Sequence, residues 1–116
     1  MHKIKVFFMK ILFIGDSEIY DEIYDDIVSG IGFGTIVKNG SISDLEDDND
    51  IVIVDGAGNE GLVSSFCENA CGVVNGSILL MRDSSEFSKA FDSVINRYVE
   101  GWKDVLVSSI KSLYRK

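Results

Sequence analysis

The chain has no proline, one histidine, two cysteines and one tryptophan in 116 residues. Without proline there is no pre-set turn and no polyproline spacer to divide it into rigid parts. The lone histidine, His2, leaves no second imidazole to activate a serine or cysteine nucleophile, which argues against a hydrolase. Cys67 and Cys71 sit i,i+4 on a predicted helix and share a face, but two thiols do not close a metal site. They are expected to pack as small hydrophobes in a reducing, cytoplasmic setting. Basic residues are also scarce, with 11 Lys and Arg against 19 Asp and Glu and a formal charge of -8. Phosphate binding needs a Lys/Arg surface, so nucleic acid is excluded as a partner and an anionic membrane is disfavoured. No apolar run approaches the ~20 residues of a membrane span. Residues 1–8 place two lysines before an apolar run, yet Lys10 interrupts it and no small-residue cleavage site follows. They are read as an N-terminal extension or the start of the first strand, with Met9 an alternative start and 9–116 a single domain.

The acid is unevenly distributed. Residues 1–81 carry 14 Asp/Glu against 4 Lys/Arg, and residues 82–116 carry 5 against 7. The bland account is solvated helix faces; a metal or basic partner would suit the N-terminal part and an anionic group the C-terminal strands.

Strand and helix signals alternate along the chain. Ile4 to Ile14 reads as a buried strand, and Ser17 as the N-cap of a helix carried by Ile19, Ile23 and Ile27. Gly30-Ile31-Gly32-Phe33-Gly34 follows that helix and is read as its termination, not as a phosphate loop. Thr35 to Lys38 is a second strand, Ser41 to Asp48 a short helix or turn, and Asp50 to Asp55 the third strand. A helix begins near Leu62, Ser77 to Met81 is the fourth strand, and Phe87, Phe91, Val94 and Ile95 fall at helical spacing. Arg97 to Glu100 reads as a weaker fifth strand before a last helix through Val105, Leu106, Ile110 and Leu113. Strands separated by helices imply parallel pairing, and hence a doubly wound, five-stranded, flavodoxin-like α/β sandwich. In such sheets ligands collect at the carboxyl ends of the strands. Asp16 and Asp55 are the acids delivered there.

The order of these segments resembles a response-regulator receiver (CheY-like) domain. The stretches that carry the resemblance are Lys10–Ser17, Gly32–Gly40, Asn49–Asp55 and the tail from Tyr98 to Tyr114. The resemblance implies two-component signalling, with Asp55 as the phosphoacceptor of a phosphorelay and Asp16 as one of two acids holding Mg²⁺ beside it. A hard cation between carboxylate and phosphate oxygens is what that transfer needs. Three positions depart from the pattern. Gly15 stands for the second acid, Arg82 for the hydroxyl residue after the fourth strand, and Gly101 for the lysine after the fifth.

These substitutions weaken the Mg²⁺ site of Asp16 and Asp55 and argue against ordinary phosphotransfer. Arg82 is then a candidate partner for Asp55, holding the place of metal and lysine; the alternative is an exposed Arg82 beside a solvated Asp55. The expected function is a stand-alone receiver-like module, monomer or homodimer, that binds a protein partner through its fourth-strand to fifth-strand face. That partner would be a histidine kinase or a downstream effector. No enzyme activity is expected beyond self-phosphorylation at Asp55, and no cofactor beyond weak Mg²⁺. A competing constellation is Gly56-Ala57-Gly58-Asn59-Glu60-Gly61, a G-x-G-x-x-G between strand and helix, with Asp83 a candidate ribose acceptor. It would suit FMN or a nucleotide. A nuclease or primase site with acids two residues apart fails because Ala57 occupies the second position.

Overall fold

The computed structural model describes residues 9–32, 34–46, 49–70, 75–82 and 89–114. The expectations for residues 1–8, His2, Phe33, Asp47, Asp48, Cys71, Asp83, Phe87, Arg115 and Lys116 lie outside the described residues.

Five parallel strands form one sheet. In chain order they are β1 (Met9–Ile14), β2 (Thr35–Gly40), β3 (Ile51–Asp55), β4 (Ser77–Met81) and β5 (Ser93–Asn96). Their spatial order is β2-β1-β3-β4-β5. Among the described residues α1 (Ser17–Ile31) joins β1 to β2, a 3-10 turn at Ile42–Asp44 lies between β2 and β3, α2 (Glu60–Ala70) lies between β3 and β4, and α3 (Trp102–Tyr114) follows β5. β3 is central, and Ile51, Val52, Ile53 and Val54 are each fully buried, as an apolar run covered on both faces requires. Each such side chain contributes about 1.5–3 kcal/mol by leaving water.

Alternation along the strands splits the core in two. Ile11, Phe13, Ile51, Ile53, Ile78 and Leu80 face one way, against Ile19, Ile23 and Ile27 of α1 and Leu106 and Ile110 of α3. Leu12, Ile14, Val52, Val54 and Leu79 face the other, against Val63 and Phe66 of α2 and Phe91. Phe66 and Phe91 stack with centroids 5.2 Å apart. Cys67 packs with this second group, as a small hydrophobe would.

Two parts of the sequence reading are corrected here: the N-cap of α1 is Asp16, whose longer side chain reaches Glu18 N, with Ser17 the first helical residue, and the fifth strand lies earlier than expected. Val94 and Ile95 belong to a strand, and Arg97 to Glu100 form the turn after it. Ser77 Oγ and N both donate to Asp92 Oδ2, at 3.3 and 2.9 Å, and Ser77 O accepts from Asp92 N, pinning the start of β5 to β4.

Candidate functional site

The reversal of strand order lies between β1 and β3, where a doubly wound sheet opens a crevice. A cleft of about 730 Å³ is found there, lined by Gly15 and Asp16 after β1, Ser41 and Ser43 after β2, and Asp55 and Arg97. The sheet register brings these residues together, because Ile14 pairs with both Gly40 and Val54.

Asp55 ends β3 with its side chain 3% exposed. Arg97, the first residue after β5, donates from Nε to Asp55 Oδ1 at 3.0 Å. Ala57 N donates weakly to the same oxygen at 3.3 Å. Burial pushes the Asp55 carboxyl above its ordinary value; the Arg97 charge and the two hydrogen bonds oppose that, and the Asp16 charge adds to it. The Arg97 guanidinium also lies 4.7 Å from the Tyr98 ring centroid, within cation–π range.

The cation beside Asp55 is therefore Arg97 and not Arg82. Arg82 is exposed, and its guanidinium lies 5.6 Å from the other partner it shares with Arg97, the Tyr98 ring. The shift of β5 explains the difference. With the strand ending at Asn96, the residue that follows it is Arg97, whereas Gly101 sits in the turn before α3 with φ of +83°. The sequence signal that would have found this is short: a Val-Ile pair between Ser93 and Asn96, followed at once by a cation.

Asp16 lines the same cleft but caps α1, its Oδ1 accepting from Glu18 N at 2.8 Å. Gly15 meets Asp55 closely, for a Cβ there would lie 2.6 Å from Asp55 Cβ, and its φ is +153°. A second carboxylate at that position has no room on this backbone. Among the described residues no group of three His, Cys, Asp or Glu side chains could hold a metal ion. One capping acid and one acid already paired with arginine are a poor fit for Mg²⁺, which favours near-octahedral oxygen ligation.

The glycines of the G-x-G-x-x-G segment have separate reasons. A Cβ on Gly56 would strike Val63 Cγ2 at 2.4 Å and Leu79 Cδ1 at 2.9 Å, so that glycine lets α2 sit close on the sheet. Gly58 has φ of +74° in the turn. Gly61 meets nothing closer than Asn59 Oδ1 at 3.8 Å, so it serves no close packing. Asn59 Oδ1 accepts from Leu62 N at 3.1 Å at the start of α2.

No protein-family model and no curated protein sequence matches the chain. Solved structures do match it. A protein described as pilus-assembly-related from Burkholderia pseudomallei superposes with a TM-score of 0.70 at 14% identity, over 99% of this chain and 96% of that one. An orphan response regulator of H. pylori gives 0.60 at 20% identity, over 92% and 97%. An atypical orphan response regulator, with a phosphorylation-independent regulatory mechanism, gives 0.61 at 22% identity, over 92% and 96%.

The fold is that of a receiver domain. In this receiver fold the carboxylate at the end of β3 faces an arginine from the end of β5. No helix among the described residues is long and apolar enough to cross a membrane.

Proposed function

We propose that the chain is a stand-alone, receiver-like signalling module that acts by binding a protein partner, with the Arg97–Asp55 ion pair standing in place of phosphoryl transfer. The observation that carries this reading is the 3.0 Å contact between Arg97 Nε and Asp55 Oδ1 inside the cleft. An aspartate that accepts a phosphoryl group needs a free oxygen to attack and a cation to draw charge off the transferred group. Here Oδ1 already accepts from Arg97 Nε and Ala57 N, so a guanidinium takes the place of the cation beside the carboxylate, and Gly15 offers no second carboxylate. The likeness to a regulator that works without phosphorylation supports the same reading. The module would work in a reducing, cytoplasmic setting and turn over no substrate.

Intact-mass spectrometry after incubation with acetyl phosphate and Mg²⁺ tests the proposal: no phosphoryl adduct forms, and beryllofluoride leaves Trp102 fluorescence unchanged. Stoichiometric labelling of Asp55 would overturn it. The volume of the cleft, about 730 Å³, is large enough for a small ligand and favours a second reading as a nucleotide or flavin protein. Among the described residues its lining includes no aromatic ring to stack on a base or a flavin. A melting temperature raised by FMN or ATP alone, and by no partner protein, would favour that second reading.

A further inference from the structure

We propose that the cleft binds a small zwitterion, an apolar α-amino acid, with its carboxylate on the outer edge of the Arg97 guanidinium and its ammonium group between Asp55 and Asp16. This rests on the reading of Arg97 and Asp55 as a standing ion pair and names what fills the space beside it.

The guanidinium is only partly occupied. It carries five donors and can meet acceptors along more than one edge. Nε alone reaches Asp55, and the Tyr98 ring lies beside the group at 4.7 Å. Among the described residues the two terminal nitrogens make no hydrogen bond, although the side chain lines the cleft and is 17% exposed. Two such parallel donors match the two oxygens of a carboxylate.

Asp55 is occupied on one side in the same way. Both of its hydrogen bonds fall on Oδ1, and among the described residues Oδ2 accepts none. No fully buried side-chain oxygen or nitrogen is left without a partner among those residues, so Oδ2 lies open to the cleft that Asp55 lines. Asp16 lines the same cleft, with Oδ1 engaged by the cap of α1, and its charge acts on Asp55. An ammonium group has three donors, enough for both carboxylates.

Charge and shape select the ligand class. The ionised groups of the lining are two carboxylates and one guanidinium, a net charge of minus one. A nucleotide would bring its phosphates beside both carboxylates, and a simple cation would leave the guanidinium edge unmatched. A zwitterion answers both, as charges taken out of water require. Ile42 and Leu62 also line the cleft and offer apolar surface to a side chain, and about 730 Å³ is ample for an amino acid.

Thermal melts and saturation-transfer NMR of the full chain with L-leucine and L-phenylalanine, each at about 10 mM, test the proposal. The expected result is a melting temperature raised by about 4 °C or more by at least one of them. N-acetyl-L-leucine, which lacks the ammonium group, and L-leucinamide, which lacks the carboxylate, should give no shift. Asp16→Asn keeps a side chain able to cap α1 and should weaken binding by about tenfold or more. Arg97→Lys keeps a counter-charge for Asp55 without the paired donors and should do the same. If Arg97→Lys unfolds by circular dichroism, Asp16→Asn decides. No shift with either amino acid, equal shifts with the blocked forms, or undiminished binding to folded Asp16→Asn overturns the proposal. Intact mass after acetyl phosphate and Mg²⁺ is measured on the same samples. An unlabelled chain that binds neither amino acid overturns the ligand and leaves the reading of the ion pair standing, whereas a labelled Asp55 overturns both.

Discussion

Asp55 is held in a nearly dry position by one guanidinium, and the two residues respond to substitution in opposite ways. Arg97→Met keeps the aliphatic stem but leaves the carboxylate buried without its counter-charge. The expected loss is about 2–3 kcal/mol in urea denaturation, less than for a fully buried pair because Arg97 is 17% exposed. Asp55→Asn keeps the shape and an acceptor oxygen while removing the charge. Because burial raises the folded-state pKa of Asp55 above its ordinary 3.8, folding favours the protonated form. That contribution is fully present below the unfolded pKa and is lost as pH rises through the folded one. The stability of Asp55→Asn relative to the parent should therefore increase as pH is raised upward from the ordinary aspartate range. A difference that stays flat across that window would mean that Arg97 outweighs burial. Asp55 and Asp16 were legible in the sequence because each ends an apolar run, and strand ends in such sheets face the crevice. Arg97 was not, because its partner lies 42 residues away and the strand that positions it is only four residues long.

At the scale of elements, the loop between β3 and α2 shows how a motif and its cause can separate. Gly56→Ala should destabilise the chain by about 1–3 kcal/mol, since the added methyl meets Val63 and Leu79 within the packing of α2 on the sheet. Gly61→Ala, in the first turn of α2 with open space around it, should stabilise by about 0.5–1 kcal/mol through helix propensity. Thermal melts of the two variants give the signs. A phosphate-binding turn would lose function at both positions, so opposite effects identify a packing glycine and a replaceable one. Four of the five strands and all three described helices carry long periodic runs or a clear cap, and their order could be read from the chain. β5 could not, because Ile95 is its only buried side chain, and Phe91, Val94 and Ile95 also satisfy helical spacing. The Ile42–Asp44 turn is similar: Asp44 Oδ2 accepts from Ser41 N at 2.7 Å, a local closure that depends on backbone geometry more than on pattern.

Across the whole molecule, the α1 and α3 layer is tied by Lys103, whose Nζ lies 2.8 Å from Glu22 Oε1 at the surface. Such an exposed pair adds little to stability, and the fully buried faces of Leu106 and Ile110 hold the layer. The Arg97–Asp55 pair has a different reach. β5 pairs with β4 alone and is the shortest strand of the sheet, which places it among the segments that open first when a domain breathes. A side chain leaving that strand and fastened to β3 spans β4 like a clasp. Fraying of the outermost strand then requires the carboxylate in the cleft to give up its partner, so opening at the edge and exposure of Asp55 are one event. Amide hydrogen exchange reads this coupling directly: in Arg97→Met the amides of 93–96 should lose protection by more than those of β1. Equal losses in both strands would mean that the clasp only adds to global stability. Whatever binds at the edge strand would then be felt at Asp55, with no group transferred between them.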